Sequence, residues 1–299
     1  MNRYSTGLAY GLGAYLLWGL LPLYWKLVES AGPFEILAHR GIWSLVFCFL
    51  LLLLRKKIVS TYKLIRNKRT LSLLFLASGM LMLNWSVFIW AVTENRVVES
   101  ALGYYISPLI NVSIGVLLLR ERLRLLQKVA VFLAFLGVVV LTVGYGVFPW
   151  VALVLSTSWA CYSLIKKKLN LGALETLTIE ALFAVLPNLI YLISIERAGT
   201  AVFGRDGWLT LLLFGAGAAT IAPLLLFNGA ATRLPLSTVG LLQYTTPTMM
   251  FIIGVFINNE DMATTKLIGF AFIWSALVFL SRDLIKSNRP IDDGIAKAL

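Results

Sequence analysis

The chain of 299 residues is 59% hydrophobic and only 13% charged, with a net charge of +12 and a mean hydropathy of +0.86. A soluble domain carries roughly 45–50% apolar and about 25% charged residues, so this chain has too few polar side chains to cover a water-facing surface. The positive charge does not indicate nucleic-acid binding, because the lysines and arginines form short clusters between apolar runs of about 20 residues. Lipid is therefore the expected surrounding.

The apolar runs predict ten membrane-spanning helices, because each run has about the length that crosses a hydrocarbon core of ~30 Å. Barrel strands would instead show alternating segments of about ten residues. The predicted spans cover residues 6–27, 33–54, 70–93, 98–119, 125–143, 147–165, 175–196, 208–230, 237–257 and 264–281. The first run is too long for the apolar part of a signal peptide, so it is expected to stay as the first helix. The polar residues 283–299 are expected to form a disordered tail.

The basic residues predict the orientation of these spans. Twenty lysines and arginines fall on the side of the N-terminus, five fall on the opposite side, and Arg40 alone lies within a span. Because loops rich in lysine and arginine stay in the cytoplasm, both termini are expected to be cytoplasmic.

Two stretches of the chain, residues 105–121 and 244–260, repeat the same residue types at the same spacing, at a constant offset of 139. The repeated pairs, with two further matches outside the stretches, are Tyr105 and Tyr244, Pro108 and Pro247, Gly115 and Gly254, Glu121 and Glu260, Trp18 and Trp159, and Glu35 and Glu175. Each half holds five spans, so the second half enters the membrane from the opposite side. The sequence therefore predicts inverted repeats at residues 1–144 and 145–282, an architecture associated with alternating access.

Several motifs resemble those of a known family. They are Glu35-Ile-Leu-Ala-His39-Arg40, Asn84-Trp85, Leu102-Gly103-Tyr104, Leu119-Arg120-Glu121-Arg122-Leu123 and Gln243-Tyr244-Thr-Thr-Pro247. Together they resemble the RarD branch of the EamA family, in the drug/metabolite transporter superfamily. The resemblance spans residues 6–281 and implies a ten-helix permease of the bacterial inner membrane, of the type labelled chloramphenicol-sensitivity protein.

Ionisable residues within a span are costly and are therefore candidates for function. The second span offers Glu35, His39 and Arg40, of which Arg40 is predicted to recognise an anionic or carbonyl group of a substrate. Glu35 and His39 share a helix face and are the candidates for proton coupling. The alternative is an arginine that extends outward and pairs with Glu35 or a loop carbonyl. Glu180 matches Arg40 in the second half, but the inversion makes a direct pair between them unexpected.

A second set of candidates places hydrogen-bonding or aromatic side chains well inside the spans. These predicted substrate-binding residues are Trp18, Asn84, Trp85, Tyr104, Tyr105, Trp159, Asn228, Gln243 and Tyr244. Pro108 and Pro247 are candidate hinges, because each proline removes a helix hydrogen bond and frees a carbonyl one turn upstream. The alternative for the whole set is helix packing. Glu121 and Glu260, at span ends, are expected to serve as a cap or a loop salt bridge.

These features predict a secondary transporter that moves a small metabolite or drug-like molecule by alternating access. A passive facilitator or channel is the alternative, and a titratable group in the transport path would separate the two. Catalysis is not expected, since the chain has one histidine and lacks the HExxH and GxSxG motifs. No metal and no cofactor are predicted. The expected partners are a small-molecule substrate and membrane lipid.

Overall fold

The structure, a computed structural model, describes residues 3–93, 97–145, 148–257 and 264–286. Within these ranges the chain forms helices and no strand. The helices are α1 (Arg3–Leu27), α2 (Pro33–Leu54), α3 (Ile58–Arg66), α4 (Lys68–Thr93), α5 (Val97–Leu117), α6 (Leu125–Tyr145), α7 (Trp150–Leu169), α8 (Ala173–Arg197), α9 (Gly207–Ala231), α10 (Leu236–Leu242), α11 (Thr245–Ile252) and α12 (Thr264–Lys286).

Eight of the described helices are long and apolar enough to cross a membrane: α1, α2, α4, α5, α6, α8, α9 and α12. Many of their leucines and phenylalanines are exposed, as expected where lipid is the solvent. The other two predicted spans differ from this pattern. Helix α7 carries several serines and ends in three lysines, and the ninth run is divided among α10, α11 and the π-helical turn Ile253–Ile257.

The break in the ninth run falls at Gln243 and Tyr244, one turn before Pro247. Proline has no backbone N–H, so a regular helix cannot continue hydrogen bonding through this turn. The proline position predicted a free carbonyl one turn upstream, at Gln243. This prediction is wrong, because the Gln243 carbonyl accepts a hydrogen bond from the Thr246 N–H at 3.1 Å. In the first half, by contrast, α5 stays one continuous helix through Pro108. The two proline motifs are therefore similar in sequence but differ in backbone conformation.

The helix ends correct two details of the predicted organisation. Helix α7 extends to Leu169, so Lys166 is part of a buried helix face and not of a loop. Helix α12 extends to Lys286, and Asp283, the first residue of the predicted tail, is buried against Arg124 with 3.3 Å between Oδ2 and Nη1. Residues 287–299 lie outside the described part of the chain.

Candidate functional site

A narrow cavity lies between α2, α4, α8 and α9, with a volume of about 40 Å³. Two of these helices belong to the predicted first half and two to the second. Small and apolar side chains form most of its wall, together with Ser44, Ser78, Trp85, Glu180 and Thr220. A largely apolar lining with few polar groups is typical of a small-molecule site. In this conformation the cavity has room for only a few water molecules, so a substrate requires it to widen.

Arg40 lies beside this cavity on α2. Its guanidinium carbon is 4.7 Å from the ring centre of Trp25 and 4.8 Å from that of Trp85, so the cation is held between two indoles. Its Nε donates to the hydroxyl of Thr220 at 3.0 Å. None of the ion pairs among the described residues includes Arg40, and its alternative partner Glu35 is engaged elsewhere. Tyr104 is close enough for an electrostatic interaction with it.

A second ionic centre contains the pair Lys166 and Glu180, each side chain about 3% exposed. The Lys166 Nζ lies 2.5 Å from one carboxylate oxygen of Glu180, and the Tyr162 hydroxyl donates to the other at 3.1 Å. Lys166 also donates to the Thr176 hydroxyl at 2.6 Å. Asn228, a predicted substrate contact, reaches the Tyr162 hydroxyl at 3.5 Å. The charged groups are therefore satisfied by protein partners, although Glu180 lines the cavity.

The predicted proton-coupling residues Glu35 and His39 lie near the N-terminal end of α2 and do not line the cavity. The Glu35 carboxylate accepts hydrogen bonds from the backbone N–H groups of Val202 and Phe203 at 3.0–3.2 Å, so it holds the loop that follows α8. The His39 ring stacks on Phe203 with 4.4 Å between ring centres, and its Nε2 lies 3.8 Å from Glu35. Proton coupling by this pair stays a prediction.

Trp18 and Trp159, which occupy matching positions in the two halves, meet with 5.3 Å between ring centres in an edge-to-face arrangement. Phe227 contacts both rings, at 5.8 and 5.0 Å, and Tyr15 and Tyr162 extend the cluster. The two tryptophans therefore pack against each other across the two halves, which was one of the two roles expected of them.

Two of the remaining candidates, Asn84 and Gln243, are engaged in contacts between helices. Asn84 donates to the Leu155 carbonyl at 2.6 Å and to the Ser158 hydroxyl at 3.0 Å, which ties α4 to α7. Gln243 accepts from the Asn111 side chain at 3.0 Å. Trp85, by contrast, reaches both the cavity and Arg40.

Tyr105 and Tyr244, the matched tyrosines of the repeat, are joined directly. The Tyr244 hydroxyl, which is fully buried, donates to the Tyr105 carbonyl at 3.2 Å. Beside them, α10 crosses α5 so closely that a side chain at Gly240 would contact the Pro108 carbonyl. The two proline motifs thus lie against each other and not against the cavity.

Glu121 acts as the expected cap, but for a helix of the other half. Its carboxylate accepts from the N–H groups of Leu236 and Ser237 and from the Ser237 hydroxyl, at 2.6–2.8 Å. Gly115 leaves the room for this carboxylate, which a Cβ there would contact. This contact explains why a glycine precedes the glutamate by six residues in the first copy of the repeat, residues 105–121. Glu260, the matching glutamate of the second copy, lies outside the described residues.

The sequence pattern missed Trp25, Tyr162, Lys166 and Thr220. Lys166 was hidden because it is the first of three consecutive lysines, which resemble a cytoplasmic loop. A usable signal was present at Glu180, whose position matches that of Arg40: a carboxylate deep in an apolar run calls for a cation within reach.

A bundle of apolar helices that encloses a cavity between its two predicted halves defines a multi-pass membrane protein, and its relatives identify the class as membrane transporters. The chain belongs to the EamA-like transporter family, whose sequence profile matches residues 5–143 and 149–282. It is 46% identical to Protein RarD of Streptomyces exfoliatus, over 96% of this chain and 92% of that protein. It is 42% identical to the uncharacterized transporter YojE of Bacillus subtilis, over 95% of this chain and 96% of that protein.

One solved crystal structure is similar over 96% of this chain and the whole of the other chain, with a TM-score of 0.75. The sequence identity is 18%, so the likeness shows the fold alone. The expected resemblance to the RarD branch is confirmed by the curated relatives.

Proposed function

We propose that the protein is a secondary transporter that moves a small metabolite or drug-like molecule across the bacterial inner membrane by alternating access. The observation that carries this proposal is the cavity bounded by α2 and α4 on one side and by α8 and α9 on the other. In an inverted-repeat transporter, a site between the halves can be exposed first to one face and then to the other as the halves rock.

Ten spans in two inverted five-helix halves are part of the proposal, and the helix contacts support them. Counting α10 and α11 as one span makes α1 to α6, without the short α3, equivalent to α7 to α12. Helices that lie next to a two-fold axis contact their own equivalents, and the pairs α2 and α8, α5 and α10, and α6 and α12 are in contact. The same axis would relate the contact of α1 with α9 to that of α7 with α4, and both contacts are present.

Two reciprocal contacts support the same axis. Glu35, at the start of α2, holds the loop after α8. Glu175, its match at the start of α8, binds Lys57 at 2.9 Å and Ser60 at 3.3 Å in the connection after α2. Each carboxylate therefore lies at the start of one helix and binds the segment that follows the equivalent helix of the other half.

Spin-label distances test alternating access without knowledge of the substrate. With Cys48 and Cys161 replaced by serine, one pair of labels is placed at Arg55 and Lys168. A second pair is placed on the opposite face at Leu27, the equivalent of Lys168, and at Glu196, the residue next to the equivalent of Arg55.

In lipid nanodiscs, each label pair should give two distances in a pulsed dipolar measurement. A bound ligand, or a mutation that favours one state, should lengthen the distances of one pair while it shortens those of the other. A reference pair at Phe132 and Val278, both exposed to lipid, should stay unchanged. Single distances in both pairs under every condition would favour a passive channel.

The proposed orientation has both termini in the cytoplasm, because of the excess of basic residues on that side. Reporter fusions after Lys57, Arg124 and Lys168 should report the cytoplasm, and a fusion near Gly199 the periplasm. A periplasmic signal at Lys168 would contradict the ten-span arrangement.

A further inference from the structure

A second cavity opens at the predicted cytoplasmic ends of α1, α2, α8 and α9. We call it the basic vestibule, because Arg3, Arg55, Lys57 and Arg233 line it and no acidic residue of the described part of the chain does. Its volume is about 750 Å³, and it is open to solvent. The orientation rule accounts for cations on this side of the membrane. It does not account for four of them around one opening.

The cations of the vestibule are held in different ways. The Arg3 guanidinium donates to the Thr232 carbonyl at 3.1 Å, and Arg233 donates to the Gly229 carbonyl at 2.8 Å. These neutral partners leave the positive charge uncompensated. Lys57 is paired with Glu175, which stands behind the lining. The opening therefore carries a net positive charge, and such a field concentrates anions at its mouth.

The vestibule lies next to the cavity beside Arg40 along three helices. On each of three helices, a residue that lines one space is followed within one turn by a residue that lines the other: Cys48 and Leu51 on α2, Leu177 and Leu174 on α8, and Leu224 and Leu225 on α9. Leu51, Leu174 and Leu225 therefore line the vestibule at the points nearest the cavity along each helix. The arrangement is a charged mouth next to an apolar chamber.

Beside the chamber, in contact with its lining residues Trp85 and Thr220, Arg40 is a cation without a carboxylate partner among the described residues. Trp25 and Trp85 lie against the guanidinium, and Thr220 takes its Nε–H, so donors at the terminal nitrogens remain for a ligand. An arginine at membrane depth is costly unless an opposite charge or a polar partner compensates it. A guanidinium presents parallel N–H groups that match both oxygens of a carboxylate.

We propose that the transported substrate is a small organic anion, a carboxylate on an apolar body, which enters through the basic vestibule and binds Arg40. This proposal rests on the transporter function proposed above. The carboxylate matches the single guanidinium, and the apolar body matches the chemistry of a wall that includes Leu81, Met82 and Ile221. The chamber widens when the substrate binds.

The test uses purified full-length protein in liposomes and a panel of monocarboxylates from acetate to 2-naphthoate, each paired with its neutral amide. At least one acid should be taken up saturably while its amide is not, because only the acid compensates Arg40. Arg40→Gln should reduce that uptake by roughly tenfold or more, the effect of losing a charged hydrogen-bonding partner. Arg40→Lys should recover part of it, since the lysine keeps the charge but not the planar fork.

The vestibule is tested separately through salt. The double variant Arg55→Gln/Arg233→Gln should slow uptake at low ionic strength, and the difference from the parent should shrink in about 1 M salt, where the Debye length falls to about 3 Å. Lys168→Gln is the matched control, because it removes an exposed cation from the same side outside the vestibule lining. An equal effect of the control would reject a specific role for the vestibule.

Equal uptake of acids and amides, or uptake of phenyl phosphate but of no carboxylate, would overturn the proposed substrate class. So would a panel in which no acid moves, provided that the spin-label pairs still report two states. Loss of both readouts would instead remove the transporter proposal itself.

Discussion

Positions 40 and 180 are equivalent in the two predicted halves, yet they hold opposite kinds of charged group. Glu180 is surrounded by Lys166 and Tyr162, and both of its carboxylate oxygens accept a hydrogen bond. Arg40 has two tryptophan rings and one hydroxyl around it, and no carboxylate among the described residues. One centre is complete within the protein, and the other keeps donors for a ligand.

This difference separates two reasons for a charge inside a membrane. A paired charge with saturated hydrogen bonds makes the fold dependent on both partners. A charge that is stabilised only by aromatic faces and a hydroxyl contributes less to the stability of the fold. Its unused hydrogen-bond donors remain available to a ligand. We therefore expect the Lys166–Glu180 centre to govern stability and the Arg40 centre to govern binding. The predictions below run from the largest expected effect on stability to the smallest.

Lys166→Met should give the largest loss of stability. The substitution leaves the Glu180 carboxylate buried with only Tyr162 as a hydrogen-bond donor, and loss of one partner of a buried ion pair typically costs about 3–5 kcal/mol. The free energy of unfolding, measured by denaturation in mixed micelles, should fall by this amount.

The double variant Lys166→Met/Glu180→Gln provides the control for that experiment. Because Gln carries no charge, the double variant should recover about half or more of the lost stability, and the two substitutions should be strongly non-additive. Additive losses, or a single-variant loss below about 1 kcal/mol, would mean that water or lipid headgroups reach the pair.

Glu121→Gln should have the next largest effect. The carboxylate accepts three hydrogen bonds at the start of α10, and an amide cannot accept all of them with a full charge. The expected loss is about 2 kcal/mol of unfolding free energy, within the range for hydrogen bonds to charged groups. Glu29→Gln, at an exposed position, is the control and should change stability by less than about 0.5 kcal/mol.

The sequence predicted the position of nearly every helix, since apolar run length and polar breaks are determined by the thickness of the bilayer. It also selected Arg40, because an arginine inside a span is costly and therefore rare, and Trp85, although its contact with Arg40 was not predicted. It failed at Lys166, where three lysines in a row share one local pattern but only one turns inward. That choice depends on Glu180 and Thr176 on a neighbouring helix, which no local pattern contains.

The proline motifs show the same limit. Their matching residues predicted two equivalent hinges, but α5 is continuous and only the second motif breaks the helix. Local chemistry is nearly identical at the two sites, so the difference arises from their different neighbours. Asn111 on α5, for example, binds Gln243 at the break, and the two motifs are therefore not interchangeable.

Tyr244→Phe should have a smaller effect than either charged substitution. It removes one hydrogen bond between the halves, from the buried hydroxyl to the Tyr105 carbonyl, and should lower the unfolding free energy by about 1 kcal/mol.

Pro247→Ala should alter the transport rate more than the affinity, because it restores a helix hydrogen bond at the break and leaves the cavity lining unchanged. Transport kinetics unaffected by both substitutions would leave a packing role only.

Arg40→Met should have the smallest effect on stability, although it should abolish binding. The substitution removes one hydrogen bond and two cation–π contacts, which stabilise the fold by roughly 0.5–2 kcal/mol each. It also removes a charge whose burial opposes folding, so the two contributions largely cancel and the net change should lie within about 1 kcal/mol of zero. A loss as large as that of Lys166→Met would show that Arg40 is a structural cation. In that case the contrast between the two centres would fail, and the ligand proposed for Arg40 would have to bind elsewhere in the chamber.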